Sequence, residues 1–128
     1  MAASGIYETA PQDLPDQPPF LNQVVCLESA LAPRDLLRRC QAIEDAAGRE
    51  RVVRFGPRTL DVDILLLEGV ESEDPELTLP HPRLWSRAFA LVPLADLWAL
   101  VRDVTDVDVP ALAAELRRGQ GVEPYLDA

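Results

Sequence analysis

The sequence predicts a mixed α+β fold, and three observations predict it. Residues 20–31 and 60–66 alternate side-chain character with the period of a strand. Residues 33–48 instead repeat apolar side chains at spacings of three and four, the period of a helix. Two further stretches, 88–99 and 109–118, read as shorter helices. At 128 residues the chain suits one domain, 1–128, built on a single core.

In order along the chain, residues 3–9 (ASGIYET) form a short strand. Residues 10–19 carry four prolines, which forbid regular structure and give a stiff loop. Residues 20–31 then form a long strand with Phe20, Asn22, Val24 and Cys26 on one face. A ring and an amide side by side suit a planar heterocycle, although a core Phe and a turn-capping Asn are the commoner meaning of that pattern. Pro33 fits the first turn of the following helix, Asp35 its positive end and Gly48 its stop. Leu36, Cys40, Ile43 and Ala47 are its buried stripe. Gln41 and Glu44 share an adjoining stripe, by default a solvated one.

The stretch 48–67, GRERVVRFGPRTLDVDILLL, concentrates the chemistry. On a strand over 60–66, Leu60, Val62, Ile64 and Leu66 take one face, and Asp61 and Asp63 the other. Neighbouring carboxylates repel unless a cation sits between them, and oxygen-only ligands suit Mg²⁺ completed by water and nucleotide phosphate. Arg49, Arg51, Arg54 and Arg58 lie just upstream, with guanidinium forks that match phosphate oxygens. Taken singly, a solvated strand face and an Arg-rich surface loop are the ordinary meanings of these features.

Downstream, residues 68–76 form an acidic turn with a brief strand or hairpin around it. His81, the only histidine, is held between Pro80 and Pro82 and suits donation to phosphate. The 88–99 helix carries Phe89 near its start and is broken at Pro93; the last helix starts near Pro110, and the tail after Gly119 carries no signal. A net charge of −10 argues against nucleic acid and anionic membranes as partners. All twelve cations are arginine, and Arg34, Arg38, Arg39, Arg49, Arg51, Arg54 and Arg58 make a local basic zone suited to a small polyanion. The absence of a long apolar run or signal peptide predicts a cytoplasmic protein, with Cys26 and Cys40 as free thiols.

RFGPRTLDVDI (54–64), YETAP (7–11), DQPPFLN (16–22), LTLPHPR (77–83) and RAFALVPL (87–94) occur in the order found in 6-hydroxymethyl-7,8-dihydropterin pyrophosphokinases, and the chain resembles that family over residues 3–105. The resemblance implies a ferredoxin-like antiparallel sheet with helices packed on it. It also implies transfer of pyrophosphate from ATP to the hydroxymethyl group of the pterin, with AMP released, in folate biosynthesis. Asp61 and Asp63 would then hold two Mg²⁺ ions on the ATP phosphates, with Asp63 a candidate for taking the hydroxyl proton. Arg49, Arg51 and Arg58 would clamp the triphosphate, and Gln41, Glu44 and His81 would line the nucleotide site. Phe20 and Phe89 would sandwich the pterin, Asn22 would hydrogen-bond it, and Thr9 with Ala10 would line the pocket. Phe55 stands where the family commonly has tryptophan, and Phe20 where it has tyrosine; both keep a stacking face.

The family opens with a strand, a Gly-Ser-Asn turn and a long helix, none of which this sequence contains. The expectation is a fold N-terminally truncated relative to the family, monomeric unless another chain supplies that unit, with the missing piece encoded upstream of Met1. The rival readings are a nucleotide- or pterin-binding remnant without turnover, and a ferredoxin-like fragment that pairs through an open sheet edge.

Overall fold

A computed structural model describes residues 1–9, 20–48 and 60–125. The chain divides into two units, Met1–Glu28 with Arg83–Ala128, and Ser29–Pro82. Helices and antiparallel strands occur together, as the α+β prediction requires.

In the first unit the two predicted N-terminal strands are present in pieces. Residues 3–9 give β1 (Ala2–Ala3) and β2 (Tyr7–Thr9), and residues 20–31 give β3 (Phe20–Asn22) and β4 (Val25–Cys26). β1 pairs with β4 and β2 with β3, both antiparallel. The interruption has a visible cause. Ser4, Gly5 and Ile6 oppose only Gln23 and Val24, so one strand carries a residue too many for an unbroken ladder. Buried Ser4 absorbs the mismatch: its Oγ accepts from Val24 N at 2.9 Å, its N donates to Val24 O at 2.8 Å, and its O accepts from Gln23 Nε2 at 2.9 Å. Residues 27–31 continue no strand, which shortens the long one expected.

After a 3₁₀ turn (Leu84–Ser86) come α2 (Ala88–Asp96), α3 (Trp98–Val101) and α4 (Val109–Gln120). Pro93 does not break its helix, contrary to expectation. It lies in the second turn, where its missing N–H costs only the bond to the Phe89 carbonyl, and it is fully buried. The break falls at Leu97, outside α-helical geometry at φ −101° and ψ 15°. Asp108 caps α4 by accepting from Ala111 N at 3.1 Å, and Gly121 ends it with φ at 58°.

α2 packs on α4 and on the sheet. Leu84, Leu91, Val109 and Val122 are wholly buried, each worth about 1.5–3 kcal/mol relative to exposure. The uninformative tail supplies β7 (Val122–Pro124), which pairs with β2 and makes β2 the centre of a three-stranded sheet. Asp96, at the C-terminal end of α2, takes a hydrogen bond from Tyr7 Oη at 2.7 Å and one from Gly5 N at 3.1 Å, tying that end to the β1–β2 segment.

The second unit holds α1 (Pro33–Gly48), with the predicted boundaries, and the hairpin β5 (Ser72–Asp74)–β6 (Leu77–Leu79). The expected stripe of α1 is only partly covered: Leu36, Cys40 and Ala47 are half-buried, while Ile43 is exposed. Leu77 and Leu79 of β6 are buried. Residues 60–66 are not a strand, which corrects the prediction. A strand needs a laddered neighbour, and two backbone groups of this stretch are taken otherwise: Val62 N donates to Glu44 Oε2 at 3.2 Å, and Leu65 O accepts from His81 N at 2.9 Å. Residues 67–70 form a bridged turn, with Gly69 at φ 71°. No described helix is long and apolar enough to cross a membrane.

Burial first, then the hydrogen bond to Asp96 and its negative charge, raise the Tyr7 phenol above its usual value. Such a group stabilises the fold fully below about pH 10, and that contribution is lost as pH rises through the folded-state value. Tyr7→Phe is therefore expected to cost about 0.5–1 kcal/mol at neutral pH. It should also flatten the alkaline fall in stability, measured by urea unfolding between pH 8 and 11.

Candidate functional site

The second unit carries Asp61, Asp63 and Glu44. Asp61 and Asp63 are exposed, while Val62 and Ile64 are half-buried. The alternation inferred for a strand thus survives over residues 61–64 without strand pairing, while Leu60, expected on the covered face, is exposed and Leu65 is half-buried. The Glu44 carboxylate of α1 holds the amide of Val62, the residue between them. Cys40, one turn earlier on α1, senses the same field. Its thiol is pushed up first by burial, then by the charges of Glu44 and Asp63.

His81 joins this group through its backbone, since its N–H holds the carbonyl of Leu65. Its half-buried ring follows directly on the hairpin. Gln41 is exposed and accepts from Arg38 Nη1 at 2.9 Å. Arg38 also reaches Glu76 at 3.2 Å, and Arg34 reaches Glu76 at 3.1 Å and binds Asp74. These pairs stitch α1 to the acidic hairpin and take two arginines out of the basic zone. They are exposed, so each is worth about 0–1 kcal/mol.

Among the described residues no group of three or more His, Cys, Asp and Glu side chains is placed to enclose a metal ion. Two solvent-facing carboxylates one residue apart fit Mg²⁺, which keeps several waters and takes phosphate oxygens rather than a complete protein cage.

The aromatic half of the prediction lies in the first unit. Phe20 pairs with Thr9 and Asn22 with Tyr7, so on adjacent strands these side chains share one sheet face. Asn22 Nδ2 donates to Thr9 Oγ1 at 3.2 Å. Thr9 is 6% exposed and the Phe20 ring 51%, so an amide and a bare ring stand over a closed floor. Phe89 is half-buried on α2, with the Arg87 guanidinium 5.2 Å from its ring centroid. Ala10, Arg49, Arg51, Arg54, Phe55 and Arg58 lie outside the described residues.

Sequence reasoning missed three residues that position these groups. Ser4 sets the pairing of the strands, Asp96 anchors one end of α2, and Gln120 clips the other. Only Gln120 had a signal available, as the last residue of a capped helix ahead of Gly121.

The α+β chain thus carries an exposed acidic pair in one unit and an amide-and-ring face in the other. The profile of the 7,8-dihydro-6-hydroxymethylpterin-pyrophosphokinase (HPPK) family matches residues 1–99, and the chain belongs to that family. It is 48% identical over 94 residues to the 2-amino-4-hydroxy-6-hydroxymethyldihydropteridine pyrophosphokinase of Bacillus subtilis, covering 73% of this chain and 56% of the relative. It is 50% identical over 97 residues to the protein of the same name from Pseudomonas aeruginosa, covering 76% and 60%. A mitochondrial folate synthesis bifunctional protein of Arabidopsis thaliana is 46% identical over 94 residues, 73% of this chain and 17% of the relative. The matched region thus spans less than two thirds of the length of these relatives.

Removing the Asp63 charge should lower the Cys40 pKa part of the way, because burial, the larger cause, persists. In a Cys26→Ser background, Asp63→Asn is expected to shift the pH profile of Cys40 alkylation to lower pH. An unmoved profile would mean that the aspartate is not felt at the thiol.

Proposed function

We propose that this chain transfers the diphosphoryl group of ATP to the hydroxymethyl group of 6-hydroxymethyl-7,8-dihydropterin, giving the pterin diphosphate and AMP. Membership of the HPPK family and the names of the relatives support the reading. The observation that carries it is the Asp61–Asp63 pair, exposed together and steadied through Val62 N by Glu44.

In this reading Asp61 and Asp63 hold two Mg²⁺ ions, which when bound supply charge neutralisation and Lewis acidity at the triphosphate. Gln41, Glu44 and His81 line the nucleotide side, and Arg49, Arg51 and Arg58 clamp phosphate oxygens. Phe20 and Phe89 stack the pterin, Asn22 hydrogen-bonds its edge, and Thr9 and Ala10 close the wall, with Phe55 nearby. The pterin hydroxymethyl oxygen attacks the β-phosphorus in line, and AMP departs. Its proton passes to a neighbouring acceptor, for which Asp63 is the candidate. Holding the two substrates in line is where such a site gains most of its rate. We further assign the α+β fold to the ferredoxin-like class, residues 1–128 to one domain, and the protein to the cytoplasm as a monomer.

The test is AMP release from ATP, Mg²⁺ and the hydroxymethyl pterin. Asp61→Ala is expected to lower turnover by about 10²-fold or more, on the scale of losing one charge-stabilising group. Pterin affinity should be unchanged. A parent chain that binds both substrates yet releases no AMP would overturn the transferase assignment and favour a binding module.

A further inference from the structure

The start of α2 is held in an unusual way. A helix leaves its first N–H groups without intrahelical partners, and the residue just before it commonly supplies a side-chain acceptor. Here that residue is Arg87, which has no acceptor and makes no capping bond. The acceptor comes instead from Gln120, the last residue of α4. Its Oε1 accepts from Ala88 N at 2.8 Å, and its Nε2 donates to Ser86 O at 3.0 Å. The two bonds fix which way the amide faces, and together they staple the backbone on either side of Arg87. Phe89, with Arg87 over its ring, is the next residue along.

The opposite end of α2 is tied by Asp96 to Gly5 and Tyr7, two residues before Thr9. Between the two ties, α2 has little freedom to slide or rotate on the sheet that carries Phe20 and Asn22. Gln120 itself is half-buried.

We infer that Gln120 is a positioning residue for the ring platform. By clipping Ser86 and Ala88 it sets the orientation of Phe89, and with it the affinity for a planar heterocycle, without touching that ligand. This rests on the reading above, in which Phe89 stacks the pterin.

The experiment measures equilibrium binding of the hydroxymethyl pterin and of a non-hydrolysable ATP analogue, separately, to the full chain and to Gln120→Ala and Gln120→Glu. Loss of two hydrogen bonds is expected to weaken the pterin in Gln120→Ala by about five- to twentyfold. Nucleotide affinity should hold within about twofold, as it depends on residues of the other unit. Gln120→Glu keeps an acceptor for Ala88 N at a helix start that favours negative charge, but loses the donor to Ser86 O. It should fall between the parent and Gln120→Ala.

Hydrogen exchange at the Ala88 amide supplies a readout independent of any ligand, and should accelerate in Gln120→Ala and less in Gln120→Glu. Unchanged pterin affinity in a folded Gln120→Ala overturns the inference, as does an equal loss for both ligands. Unchanged exchange at Ala88 overturns it as well. If the parent itself binds nucleotide but not pterin, the assignment of Phe89 falls first and the inference with it, so the two failures are told apart.

Discussion

On the acidic side, one contact that orders the chain is that of the Glu44 carboxylate with the Val62 amide. It joins a helix to a stretch that has no strand neighbour among the described residues, and it does so at the residue flanked by the two aspartates. The contact also places the Glu44 charge near Cys40, which feels Asp63 as well. The Cys40 thiol registers that field.

The other unit achieves order without such tension. Its core is aliphatic, with α2 lying between α4 and the sheet, and its polar contacts sit at the margins where elements begin and end. Ser4 settles a strand mismatch, Asp108 starts α4, and Asp96 and Gln120 bracket α2. Apolar packing supplies the bulk of the stability there, and these few directional bonds choose one arrangement among those that packing alone would allow.

How much of this was legible in the sequence depended on the range of the cause. α1 was readable to the residue, because Pro33, Asp35 and Gly48 are local signals that act within a turn or two. The start of α4 near Pro110 was readable for the same reason, and the acidic turn at 68–76 was readable without the extent of the hairpin that follows into residues 77–79. Pro93 misled because a proline in a second turn sacrifices only one bond, a difference of position that residue identity hides. The strand expected at 60–66 failed for a tertiary reason: its alternation is real, but pairing depends on what lies alongside. Ser4 as the cause of the break between β1 and β2 was out of reach, since counting three residues against two requires the register. The common exposed side of Asp61 and Asp63 was legible from their spacing. The Glu44 contact to the backbone was not, since side chain to main chain bonds across 18 residues leave no periodicity.

The place of β7 bears on how the polypeptide is made. β2 is synthesised long before β7 and can zip to β3 first, but the edge that β7 takes waits until Val122–Pro124 has been made. Over that interval the nascent chain displays an unpaired strand, a feature that invites wrong partners and that cells guard with chaperones. Translation speed between the codons for Asn22 and Val122 thus governs how long the growing chain is exposed to that risk.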